Sequence, residues 1–150
     1  MKGVFMKHLL LLICLFLCSA NALLYASQDV EVSDAVRQAV PNIEVLSEGI
    51  VAGGAPEVSA FKAIKENGFK TVIDLRTPEE GIDAERKAVE ALGMKYVNIP
   101  MSSRDVSEAQ VEKLSASLTD DAYPVLMHCR SGGRVNALWS EYQKKNDQAE

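Results

Sequence analysis

At 150 residues the chain has room for one domain, and its 47% hydrophobic and 25% charged content fits a globular protein. That composition excludes wholesale disorder, a collagen-like repeat and a multi-span membrane protein. With 16 basic against 21 acidic residues the net charge is −5, and only 6% is aromatic, so the basic field and stacking surface of a nucleic-acid binder are missing and nucleic acid is not an expected partner.

The first 22 residues read as a secretory signal peptide. Lys2 and Lys7 flank the approach to an unbroken apolar run from Leu9 to Leu17, and Ala20-Asn21-Ala22 matches a small-residue cleavage pattern. The run is well short of the ~20 residues a membrane span needs. The expected product is therefore an exported, periplasmic protein without stable membrane insertion. Cleavage near Ala22 removes Cys14, Cys18 and His8, leaving Cys129 as the single cysteine and His128 as the single histidine. No intramolecular disulfide can then form, and one Cys with one His cannot complete a tetrahedral zinc site. No metal or organic cofactor is expected. A lone thiol in an oxidising compartment is either well buried or chemically employed.

Residues 23–40 read as a polar leader with a short helix from Asp34 to Val40, stopped by Pro41; the domain proper is expected over 41–150. Ile43 to Leu46 and Ile50 to Ala52 form a plausible hairpin around Ser47-Glu48-Gly49. Pro56 opens a helix with Val58, Phe61 and Ile64 at helical spacing, closed by Gly68. Thr71 to Leu75 is a β-branched strand, and Arg76 to Gly81 a loop. Asp83 to Leu92 is a helix ended by Gly93, and Tyr96 to Ile99 a strand broken by Pro100. Ser107 with Gln110 is a capping-box signature, followed by an apolar face of Val111, Leu114 and Leu118. Val125 to His128 is a buried strand. Val135, Leu138, Trp139 and Tyr142 mark a final helix, short enough to give thin cover to one face. Strands separated by helices imply an α/β fold in which a parallel-core sheet is flanked by helices.

The chemistry concentrates in Val125-Leu126-Met127-His128-Cys129-Arg130-Ser131-Gly132-Gly133-Arg134, which runs from strand through a glycine turn into a helix. Such a strand end is where anions bind in an α/β sheet. Successive N–H groups form a concave nest, and the helix N-terminus adds partial positive charge. Gly132 and Gly133 permit the required backbone, and Arg134 supplies a planar fork for phosphate or sulfate oxygens. Cys129 at the floor of this positive cup is favoured as thiolate, the competent nucleophile. Taken singly, each feature has a bland reading: a Cys at a buried strand end is often inert, Gly-Gly is a turn, and an Arg is a surface charge. Their joint arrangement is what points to an active thiol.

His-Cys-x-x-Gly-x-Arg after a strand resembles the signature loop of the cysteine-dependent phosphatases. Gly53-Gly54-Ala55-Pro56, Gly68 to Arg76, Gly93 to Pro100 and the Cys129 loop together resemble the bacterial beta-lactamase-hydrolase-like phosphatase domain of that superfamily, over about residues 43 to 145. The resemblance implies a single protein-tyrosine-phosphatase-like domain that hydrolyses phosphate monoesters through a phosphocysteine. In it Cys129 is the nucleophile, Arg134 binds the phosphoryl oxygens, and the amides of Arg130, Ser131, Gly132 and Gly133 complete the cradle. Asp105 falls where the family keeps a general acid; its bland reading is an acid beside the N-terminus of the Ser107-capped helix. Asp74 and Arg76 hold neighbouring loops together, and His128 hydrogen-bonds locally and helps depress the thiol pKa.

Two departures bear on activity. Cys129 and Arg134 enclose four residues rather than the five of protein tyrosine phosphatases, a loop length that rhodanese sulfurtransferases use to hold a persulfide. Val135 replaces the Ser or Thr whose hydroxyl assists the departing thiolate. Phosphatase chemistry on a phosphorylated small molecule or phosphoprotein is thus set against sulfur transfer from a sulfane-sulfur donor through a Cys129 persulfide. A non-catalytic anion-binding module is the third reading.

Overall fold

A computed structural model describes residues 32–148, so the signal peptide expected over 1–22, with the start of the leader, lies outside the described residues. Five strands form one sheet in the order β1-β2-β5-β3-β4. They are β1 (Glu44–Ser47), β2 (Ile50–Gly54), β3 (Thr71–Asp74), β4 (Lys95–Asn98) and β5 (Val125–Cys129). The predicted hairpin forms: β1 pairs antiparallel with β2, Glu44 opposite Ala52 and Ser47 opposite Ile50. Every other pairing is parallel, so the sheet is mixed with a parallel core. The central strands β2, β5 and β3 are buried at every position, as strands covered on both faces must be.

Side-chain alternation divides the core into two layers. Ile50, Ala52, Ile73, Met127 and Cys129 face one side, where α4 (Glu108–Ser117) and α5 (Gly133–Asp147) cover them through Val111, Leu114, Val135 and Leu138. Val51, Val72 and Leu126 face the other, against α1 (Asp34–Ala39), α2 (Phe61–Glu66) and α3 (Asp83–Ala91) through Val36, Phe61, Ile64 and Val89. The capping box at Ser107 forms as expected, Ser107 and Gln110 each bonding the other's backbone N–H.

Three expectations shift. Residues 32–40 are not simply a polar leader, because Val32, Val36 and Val40 are buried in the second layer. Val36 lies within the short helix Asp34–Ala39, and Val32 and Val40 flank its two ends. Val58 lies in a 3₁₀ turn (Val58–Ala60) ahead of α2 and is 45% exposed, so the apolar face begins only at Phe61. The last helix, expected to be thin cover, runs for 15 residues, with Trp139 stacked on Tyr142 at a centroid distance of 5.1 Å. No helix among the described residues is long and apolar enough to cross a membrane.

Candidate active site

Cys129 ends β5 and is 1% exposed. The chain then turns through Arg130, Ser131 and Gly132 into α5. Gly132 caps the helix at φ 98°, a left-handed conformation that a Cβ would strain. From there its N–H donates to the Cys129 Sγ at 3.1 Å. The outer edge of the loop is stitched to β2: Gly54 bridges to Ser131, and the Ala55 N–H donates to the Arg130 carbonyl at 3.4 Å. Asn42 adds a donor to the Ser131 carbonyl at 3.4 Å. With its carbonyls taken outward, the loop presents amides inward.

Burial pushes the Cys129 thiol pKa up. Donation from the Ser131, Arg134, Val135 and Gly132 amides outweighs it, leaving the thiol below its ordinary value. The ultraviolet absorbance of the thiolate, taken as the difference between the chain and its Cys129→Ser variant, should therefore titrate at lower pH than a free cysteine. A midpoint at or above the free value would remove the activated thiol.

Arg134 lies in the same cup but is not free. Its Nη1 donates to Glu80 Oε2 at 2.7 Å and to the Met101 carbonyl at 2.6 Å, and its Nη2 to Glu80 Oε1 at 2.8 Å. This is a two-pronged carboxylate clamp. The ion pair with Arg134 holds the Glu80 carboxyl down to about 2, helped by the Thr77 amide and opposed by burial. Glu80, and to a lesser degree the Cys129 thiolate, raise the Arg134 pKa in turn. Glu80 itself is positioned by a 3₁₀ turn, Pro78–Glu80, in which Thr77 and Glu80 form a capping box. Sequence reasoning missed Glu80. The Thr77-x-x-Glu80 pattern could have shown the turn, although nothing in it names an arginine 54 residues away as the partner.

His128 faces away from the thiol, since neighbouring strand residues point to opposite sides. Its Nε2 meets Glu85 Oε1 at 2.7 Å, and its Nδ1 is buried without a partner, 3.9 Å from Asp74 Oδ1. The expectation that His128 depresses the thiol pKa is corrected: the groups acting on the sulfur are loop amides. Asp74 and Arg76 do hold their surroundings together. Asp74 accepts from the Arg76 backbone at 2.9 Å, from its guanidinium at 2.8 Å, and from Tyr96 Oη at 2.7 Å. Arg76 also pairs with Glu85 of α3. Asn98 donates to the Asp74 and Arg76 carbonyls, each at 2.8 Å. Asp74, Glu85 and His128 bring one ligand atom each within 4.8 Å of one another. The Arg76 guanidinium already pairs with both carboxylates, so a metal ion there would have to compete with it for their oxygens.

The loop after Pro100 carries Asp105. Asp105 is exposed, accepts from the Ser103 hydroxyl at 3.0 Å, and hydrogen-bonds neither Cys129 nor Arg134. Its neighbour Arg104 is the residue that reaches the cradle, lying against Gly133. Sequence reasoning missed Arg104 as well, because an arginine in a polar loop reads as a surface charge.

Comparison with known proteins gives a family and a fold. A family profile described as "Beta-lactamase hydrolase-like protein, phosphatase-like domain" matches residues 42–146. The chain is 29% identical to the beta-lactamase hydrolase-like protein of Agrobacterium fabrum over 99 residues, 63% of this chain. The match spans only 23% of that relative's length. Among solved structures, a candidate phosphatase (DUF442) from Shewanella putrefaciens CN-32 is 28% identical with a TM-score of 0.60, covering 74% of this chain and 76% of its own. The core catalytic domain of the PP-IP phosphatase Siw14 from S. cerevisiae superposes with a TM-score of 0.58 at 20% identity, covering 72% of this chain and 68% of its own, which shows a shared fold.

Proposed function

The chain belongs to the family of beta-lactamase hydrolase-like phosphatase-like domains, and from that membership we propose that it hydrolyses phosphate monoesters through a phosphocysteine on Cys129. The observation that carries this reading is one buried thiol of lowered pKa on which loop amides and an arginine converge.

In the proposed reaction the Cys129 thiolate attacks phosphorus in line with the ester oxygen. The S–P bond forms as the P–O bond breaks, and the leaving oxygen takes a proton. The loop amides and Arg134 hold the non-bridging oxygens, where charge spreads in the transition state. Water then attacks phosphorus, the S–P electron pair returns to sulfur, and inorganic phosphate departs. Val135 is fully buried and apolar, so the residue after Arg134 offers no hydroxyl to that second departure. An aryl phosphate offered to the chain is expected to give a burst of phenol followed by slower turnover, with both phases lost in Cys129→Ser. Burst and turnover surviving that substitution would overturn the reading.

Asp105 is the proposed proton donor, and serving so requires its loop to turn the carboxyl from Ser103 towards the cleft. Asp105→Asn is expected to cost about 10²–10⁴-fold on an alkyl phosphate, whose leaving oxygen needs the proton, and little on an activated aryl phosphate. Equal loss on both esters would assign Asp105 a structural part only.

A second reading is favoured by Val135 and the four-residue loop: sulfur transfer through a Cys129 persulfide. Cys129-dependent thiocyanate formation from thiosulfate and cyanide, without phosphate release from any ester, selects it.

A further inference from the structure

We propose that Arg104 and the rim of the Cys129 loop form a second anion subsite, so that the substrate is a phosphate ester carrying a second phosphate beside the one that reacts. This rests on the phosphatase reading of Cys129.

The first ground is close approach. The Arg104 guanidinium lies directly on Gly133, so that a Cβ built there would sit 2.7 Å from Nη2, 3.0 Å from Nε and 3.1 Å from Cζ. A side chain there would push the guanidinium aside, whereas glycine lets it lie at the edge of the cradle. The side chain is exposed, and it pairs with no carboxylate among the described residues. Arg76 and Arg134, by contrast, are both clamped by acids.

The second ground is charge. Within the cup both prongs of Arg134 are taken by the Glu80 carboxylate, and the charge of Arg130 also acts on Glu80. A phosphate dianion entering there competes with Glu80 for the Arg134 fork. Arg104 adds an unclamped guanidinium at the rim, in the planar fork that phosphate oxygens accept.

The third is space. Arg104, Ser131, Gly132, Gly133 and Asn136 line an open cleft of ≈ 330 Å³ beside the cradle. Glu44, the single carboxylate in its lining, accepts from Asn136 Nδ2 at 3.4 Å. The cleft can therefore seat a second anion next to the first.

The test is calorimetric and uses the full chain with two probes that are not turned over, inorganic phosphate and methylenediphosphonate. The chain is expected to bind methylenediphosphonate about tenfold or more tightly than phosphate, the worth of one charge-assisted pair of hydrogen bonds. Arg104→Gln should collapse that ratio, and Arg104→Lys should restore part of it, since a point charge replaces the fork. Arg104 is exposed, so an unchanged thermal midpoint shows that the variants fold. Equal affinity for both probes, or a ratio untouched by Arg104→Gln, overturns the subsite while phosphate binding leaves the phosphatase reading standing. An Arg104-dependent ratio in a chain with no Cys129-dependent hydrolysis keeps the subsite and sinks the phosphatase. Binding of neither probe overturns both.

Discussion

Arg134→Ala is expected to lower turnover of a phosphate ester by roughly 10³–10⁵-fold, and adding Glu80→Gln should recover part of that loss. The first effect is the removal of the guanidinium that holds the transferring phosphoryl oxygens. The second is particular to this cup. Glu80 accepts both prongs of Arg134, and its side chain is only 25% exposed. Without Arg134 its carboxylate loses its ion-pair partner and, with only the Thr77 amide and Arg130 to offset it, repels an incoming phosphate. Neutralising it with glutamine removes that repulsion, so the two substitutions are non-additive. A double-mutant cycle on kcat/KM reads the coupling directly. Strict additivity would mean that Glu80 only braces the loop. Arg134→Lys should rescue little, because a single ammonium cannot be clamped by Glu80 and still present a fork to substrate.

The largest effect on stability is expected from Glu85→Ala, at about 3–5 kcal/mol by urea unfolding, the usual loss when one member of a buried ionic network is removed. Glu85 is 2% exposed and holds Arg76 on one oxygen and His128 on the other. Its removal leaves a guanidinium short of an acceptor and an imidazole with no hydrogen bond. Glu85→Gln should cost less, since one amide oxygen still accepts. A loss below about 1 kcal/mol for the alanine variant would mean that water takes over its role. The same network sets the response to acid. Burial raises the Asp74 pKa, but the Arg76 hydrogen bonds, the charge of His128 and Tyr96 outweigh it, so Asp74 lies below its ordinary 3.8. A carboxylate lowered on folding stabilises fully above the unfolded value. Its contribution is lost as pH falls from about 4 towards the folded value.

The elements readable from sequence were those governed by neighbours along the chain. The Ser107 capping box needs only Gln110 three residues on, and the β5 strand announces itself by the apolar run Val125-Leu126-Met127. The Cys129 loop belongs with these, because strand, thiol, glycines and arginine are contiguous. What sequence did not reveal are the pairings across the fold. Glu80 with Arg134 and Glu85 with His128 are brought together by the sheet, 54 and 43 residues apart. Glu85 sits in Asp83–Ala91, a helix so polar that each of its charges reads as solvated. The direction of Asp105 was hidden for a related reason. Ser103, two residues away, competes for its carboxyl, and spacing does not decide between a loop partner and a cleft.

His128 and Cys129 are adjacent in sequence yet belong to different layers. Substitutions beneath the sheet and above it therefore answer to separate demands. Variation among Asp74, Glu85 and Tyr96 is filtered by whether the strand stays docked, and variation among Glu80, Arg104 and Val135 by what the thiol can do. In a library of random variants the two sets should sort apart, the first by abundance and the second by rate per folded molecule.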